Sequence, residues 1–310
     1  MEIKKYTKDQ KQIWNEFVDN SKNGTFMINR DYMDYHSDRF EDFSLMFYEE
    51  DKLTAIMPAS KHGGELCSHG GLTYGGIISN EKMKAYKMLD IFSSMLEFLK
   101  VNGIESLLYK CMPYIYHDYP SDEDLYALFR NNAKLIRRDI ASVIDFSHQY
   151  KMPKGRKAQI SRAKREGVVI EESSDYVTFI ALENKILTAK HNAIAVHNAN
   201  ELKYLSEKFP ENIKLFVAKY NDEIIAGTLL FIYKNIVHTQ YMASDEISRE
   251  IGGLDFLLKT LIEKYYGNKR YFDFGISTED CGRYLNEGLI SQKEGFGGRA
   301  VVYDFYKWTF

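Results

Sequence analysis

The sequence predicts an α/β (α+β) protein of two tandem domains, residues 1–148 and 149–310, each a mixed central sheet flanked by helices. Three observations lead there. A chain of 310 residues with 45% hydrophobic content can furnish two cores of ordinary size. A strand-turn-strand unit occurs twice. In both halves that unit is followed by a glycine-bearing loop, an amphipathic helix and a further strand.

In the first half, the β-rich runs Ser44–Tyr48 and Leu53–Pro58 flank the turn Glu49-Glu50-Asp51-Lys52. In the second, Lys214–Tyr220 and Ile224–Tyr233 flank Asn221-Asp222-Glu223. Asp51 and Ala55 correspond to Asp222 and Ala226 at one offset, 222 − 51 = 226 − 55 = 171. Gly75-Gly76 precedes a helix from Lys82 to Lys100 with Met88, Phe92, Met95, Leu96 and Leu99 on one face, then the strand Ile104–Tyr109. Gly252-Gly253 precedes a helix from Leu254 to Tyr266 with Leu254, Leu257, Leu258 and Leu261 in helical spacing, then the strand Arg270–Phe274. Duplication of one unit accounts for the order, and the offset drifts at the loops, where insertions are tolerated.

Tyr150–Ile170, between the halves, reads as a linker feeding a basic helix. Ile160 and Ala163 can pack inward, Lys157, Ser161, Lys164 and Arg165 project elsewhere, and Gly167 suits a left-handed stop. Seven cations and no acid fall between Lys151 and Arg165, so this face is either simply solvated or holds an anion such as a phosphate, with Arg156 and Arg162 as candidate substrate contacts. The net charge of −3 gives no reason to expect DNA binding. Cys67, Cys111 and Cys281 are in no metal-ligand spacing, so no metal is expected. No window has the ~18 apolar residues of a membrane span, and the start lacks the apolar run of a signal peptide, so a cytoplasmic protein is expected.

The strand His238–Ala243, followed by Arg249-Glu250-Ile251-Gly252-Gly253-Leu254 and a helix, resembles the acyl-CoA pyrophosphate site of GNAT acetyltransferases, Gln/Arg-x-x-Gly-x-Gly/Ala at a strand-to-helix turn. Glycines there let the backbone approach an anion while amides at the helix start point at it. Arg249, Gly252 and Gly253 are the implied donor contacts, and Leu254 departs from the pattern where a small residue is usual. The basic segment 156–168, Asp273-Phe274-Gly275, and Gly288-Leu289 with Lys293, Phe296 and Gly297 resemble the Fem-type (FemAB-like) branch of that superfamily, with Gln292 replacing a Phe.

The resemblance implies an acyltransferase with two GNAT-like domains in one chain, the second carrying the acyl-CoA loop and the first facing the acceptor or degenerate. Fem-type enzymes move an amino acid from a charged tRNA to a peptidoglycan precursor, and many that use tRNA carry a long helical hairpin, for which Ser173–Phe209 has modest room. With Arg249-x-x-Gly252, that favours acyl-CoA as co-substrate over tRNA. The expected reaction is N-acyl transfer to an amine, such as an amino sugar or a cell-envelope precursor. The alternatives are aminoacyl-tRNA-dependent transfer and a non-catalytic binding protein.

Acyl transfer to an amine requires proton removal and charge stabilisation at the carbonyl. His238, Asp273, Glu279 and Tyr284 are the candidates for proton handling, and Lys293 for holding a phosphate or polarising a carbonyl. His191 and His197 are candidate acceptor contacts or ordinary loop histidines. His69 and Tyr74, in the glycine-dense segment Ser68–Gly76, are assigned to acceptor recognition.

Overall fold

The computed structural model describes residues 1–148, 150–191 and 193–310, and the side chains of these apart from Lys190 and His191. The chain packs as two compact units: Met1–Ile140 with Thr278–Tyr284 and Val302–Phe310, and Ala141–Ser277 with Leu285–Val301. The expected domains are consecutive halves, whereas these units interleave in sequence, because the C-terminal strand carries Trp308 into the first unit's core.

In the first unit β1 (Glu2–Lys5), β2 (Leu45–Glu49), β3 (Lys52–Met57) and β4 (Ile78–Ser79) form an antiparallel sheet in the order β1-β2-β3-β4. The helix α1 (Ala85–Val101) buries Met88, Phe92, Met95 and Leu99, four of the five residues its periodicity assigns to one face. The strand β5 (Ser106–Lys110) pairs antiparallel with the C-terminal segment Phe305–Thr309. Met57, Phe92, Leu107 and Trp308 meet in the same core.

In the second unit α2 (Lys154–Arg165) is the basic helix, with Ile160 and Ala163 buried and Gly167 at φ +83° closing it. It is followed by β6 (Val169–Ser173), α3 (Tyr176–His191), α4 (Ala199–Lys208), β7 (Ile213–Tyr220), β8 (Glu223–Ile232) and β9 (Ile236–Ser244). Then come α5 (Glu246–Ile251), α6 (Gly253–Thr260), β10 (Tyr271–Ile276) and α7 (Glu287–Glu294). The strands run in the order β6-β7-β8-β9-β10, with β9 and β10 parallel and the rest antiparallel, and Ala141–Asp145 pairs along the far side of β10. Phe216, Leu230, Leu257, Leu258, Phe272 and Phe274 fill the core. No helix among the described residues is long and apolar enough to cross a membrane.

The repeated unit is visible in backbone detail. Each hairpin closes on two non-glycine residues with positive φ, Glu50 (48°) and Asp51 (62°) in one, Asn221 (50°) and Asp222 (64°) in the other, the left-handed pair that a two-residue hairpin loop requires. Each carries a bulge two residues before that turn, at Phe47/Tyr48 and Ala218/Lys219. The pairs Leu45↔Met57 and Phe216↔Thr228 share the offset of 171, since 216 − 45 = 228 − 57 = 171.

A β-branched residue in the left-handed region is strained by about 1–2 kcal/mol. Asp51→Val and Asp222→Val are therefore each expected to lower unfolding free energy in urea by that amount, while Gly at either position is tolerated.

Candidate functional site

The site in the second unit begins where two parallel strands part. β9 and β10 are in register at Ile236↔Tyr271, Val237↔Phe272 and His238↔Asp273, and among the described residues the pairing goes no further. Just past that point β9 bulges: Thr239 and Tyr241 face consecutive residues of β8, leaving Gln240 as the extra residue. At the fork, His238 Nδ1 donates to Asp273 Oδ2 at 2.7 Å, and the Gly275 amide donates to Asp273 Oδ1 at 2.7 Å. Gly275 has φ +71°, and a Cβ there would lie 3.1 Å from the His238 ring, so the glycine of Asp-Phe-Gly serves both the turn and this close approach.

The C-terminal motif folds onto the same fork. Asn286 caps α7, which brings Lys293 inward to 4% exposure, and Lys293 Nζ donates to the carbonyls of Gly275 (3.0 Å) and Ile276 (2.6 Å). Burial pulls its ammonium down to about 8, with Asp273 opposing that shift. Phe296 packs on Phe274 with ring centroids 5.8 Å apart, so the two motif segments are in direct contact.

A cavity of about 500 Å³ is lined by Met242 and Ser244 of β9, past its bulge, Arg249 of α5, Gln159 of α2, Leu289 and Gln292 of α7, and Glu183, Ile186 and Leu187 of α3. Glu183 was not among the sequence candidates. It is 6% exposed, its Oε2 has no hydrogen-bond partner among the described residues, and burial pushes its carboxyl from 4.5 up to about 7. The sequence did carry a signal: Tyr176, Phe179, Ile180, Ile186 and Leu187 form an apolar stripe at helical spacing, and Glu183 stands in its middle. Behind it, the Tyr241 hydroxyl is hydrogen-bonded to His197 Nδ1 at 2.7 Å, and burial lifts the phenol to about 12.

Several sequence candidates have other duties. Arg156, expected to meet a phosphate, is held by Asp255 Oδ1 (2.6 Å), the Gln292 carbonyl (3.1 Å) and the Phe296 ring (4.0 Å). Arg162 is committed to the Glu250 carboxylate and carbonyl. Both arginines thus dock α2 on its neighbours. His69 is 5% exposed beside His36 and Phe40, accepts from the Gly71 amide, and is driven down to about 3 chiefly by burial, so it is a neutral core histidine. Tyr74 is buried against Tyr116. Glu279 and Tyr284 belong to the first unit, where they are exposed on short strands. Asp273 is 0% exposed, so it orients His238 and Gly275 rather than meeting a substrate. His197 is buried on Tyr241, and the His191 side chain lies outside the described residues.

The expected donor loop is a helical turn. Arg249 lies in α5, is exposed, and donates to the Ser244 carbonyl. Gly252 is left-handed (φ +84°), and a Cβ there would lie 2.5 Å from the Gln159 carbonyl oxygen, while a Cβ on Gly253 would meet Ser248 and Ile225. The Gly252 amide donates to the Ser248 carbonyl and the Leu254 amide to Ser248 Oγ. These glycines therefore serve helix packing, and two amides of the turn are already engaged. In the first unit Gly76 is also left-handed (φ +83°), and the Tyr109 hydroxyl stands 2.6 Å from where its Cβ would be.

Gly252→Val is expected to lower stability by about 2–5 kcal/mol, through left-handed strain and the clash with α2, measured by chemical denaturation. For Glu183, the folded protein keeps its proton between pH 4.5 and about 7 while the unfolded chain has lost it, so stability falls as pH rises through 7. That difference amounts to about 3 kcal/mol, and Glu183→Gln should melt above the parent at pH 8 and converge with it near pH 4.

Residues 154–284 match the model of the acetyltransferase (GNAT) domain family. No curated protein matches the sequence. Among solved structures, FemX is 12% identical over 100% of this chain and 98% of its own, with a TM-score of 0.68. The C-terminal domain (DUF2156) of a putative lysylphosphatidylglycerol synthetase from Agrobacterium fabrum is 13% identical over 97% and 92%, with a TM-score of 0.64. A tandem GNAT protein from the clavulanic acid biosynthesis pathway is 8% identical over 99% and 97%, with a TM-score of 0.53.

Proposed function

This chain has a GNAT-superfamily, Fem-like fold, and from that premise we propose that it transfers an acyl group from acyl-CoA to an amine, with the chemistry in its second unit. The reading is carried by one arrangement: β9 runs from the point where it parts from β10, at which Lys293 is held, to Met242 and Ser244 in the cavity wall. Past the fork, β9 no longer shares its edge with β10, so its backbone is offered to an extended donor. Arg249 at the cavity supplies a cation for the donor's phosphates. Lys293 Nζ spends two N–H groups on carbonyls and keeps a third for the oxygen of the reacting carbonyl, where charge develops during acyl transfer. Asp273 and His238 act as positioning residues for that turn. The acceptor is an amine, such as an amino sugar or a cell-envelope precursor.

A second donor is favoured by a specific observation. Ser248 already satisfies the Gly252 and Leu254 amides, which an acyl-CoA pyrophosphate would otherwise use, and an aminoacyl ester carried on tRNA does not need them. The likeness to FemX and to the synthetase domain supports that reading of the same carbonyl chemistry.

Calorimetric titration with CoA and acetyl-CoA, followed by thiol release with a panel of amines and amino sugars, tests the first donor. Binding with thiol release supports acyl-CoA. Absence of both, with transfer from an aminoacyl-tRNA, supports the second, and binding without any transfer leaves a non-catalytic binding protein. In an active preparation Lys293→Met is expected to lower kcat by about 10²–10³ with CoA affinity unchanged.

A further inference from the structure

We propose that the second unit's cavity receives the acceptor as a protonated primary amine on a short apolar body, and that Glu183 pairs with its ammonium and then takes its proton. The proton step rests on the acyl-transfer reading above, whereas the binding step rests on the cavity alone.

A buried carboxylate with no partner is costly, and only a proton or a cation relieves it. Among the described residues no cation pairs with Glu183, whose shift has burial as its one cause. Arg249 lines the same cavity, with one N–H on the Ser244 carbonyl, and forms no ion pair with Glu183, while Asp255 is already matched by Arg156. From β9, Tyr241 faces Glu183 as a neutral phenol engaged with His197. Oε2 is left as an acceptor in a cavity of mixed wall, with Ile186, Leu187, Met242, Leu254 and Leu289 apolar and Gln159, Ser244, Ser248 and Gln292 polar. A small ammonium with an aliphatic body complements both parts. Burial holding the carboxyl near 7 also suits a proton acceptor at neutral pH.

The ammonium gives one proton to the Glu183 carboxylate, and the freed lone pair attacks the thioester carbonyl. The N–C bond forms and the C–S bond breaks. A second nitrogen proton leaves with sulfur as the thiol, and the proton on Glu183 passes to solvent, so ammonium and thioester yield amide, thiol and one proton.

The probes are n-butylamine and n-butanol, titrated into parent and Glu183→Gln protein at pH 8 and followed by NMR chemical-shift changes. The parent should bind the amine at least about 10-fold more tightly than the variant does, while the alcohol binds both alike. Equal amine affinity in the two proteins, or an amine bound no better than the alcohol by the parent, overturns the site. Thermal melts of the same samples show whether the variant is folded. With acetyl-CoA and n-butylamine, the variant should lose about 10²–10³-fold in kcat/KM together with the acid limb of the pH profile. Parental turnover in the variant overturns the proton step. If the parent binds no CoA, the donor assignment fails, and the amine titration still decides the site.

Discussion

The hydrogen bond between His238 and Asp273 sits at the last point where β9 and β10 remain in register, and the second unit is arranged around their parting. Parallel strands in a sheet hydrogen-bond through alternate residues, so an interrupted pair must find substitutes for the lost partners. Here the substitutes come from far along the chain. Asp273 engages a histidine and a main-chain amide, and Lys293, from a helix near the C-terminus, covers the two carbonyls that follow. The parting is thus held by charge-assisted hydrogen bonds.

Glu183 represents the opposite arrangement. The Asp273 carboxylate is fully buried and well supplied with donors, whereas the Glu183 carboxylate is nearly as buried and has an oxygen without one. An alanine or leucine at that place would complete the apolar stripe of α3 and remove the electrostatic penalty. Retaining a carboxyl there lowers stability at neutral pH. That pattern is common where local stability is traded for chemistry.

Much of the fold was legible because it rests on local rules. Period-two and period-3.6 runs located the strands and helices of the duplicated unit, and Asp51 and Asp222 marked both turns. The packing of the Asp-Phe-Gly and Lys293 segments against each other follows from motifs that resemblance alone had paired. The site was less legible. Arg156 and Arg162 looked available because their partners, Asp255 and Glu250, lie about 90 or more residues away. Gly252 looked like an anion cradle because sequence cannot show that α2 presses on it. Glu183 was overlooked since a single acid inside an apolar stripe is read as an interruption, when its burial is a tertiary fact. Interleaving of the units escaped notice because the exchange of short C-terminal segments leaves no compositional mark.

The two hairpins have the same turn, the same bulge position and the same register. Backbone geometry therefore does nothing to tell them apart while the chain is folding. Both are local and can form early, as seeds of nearly the same shape. What sorts them is the side chains on their inner faces: Leu45 and Phe47 in one, Phe216 and Ala218 in the other, each shaped to a different helix. In an exchanged docking, the large-to-small change from Phe47 to Ala218 would leave a void in the first core and crowd the second.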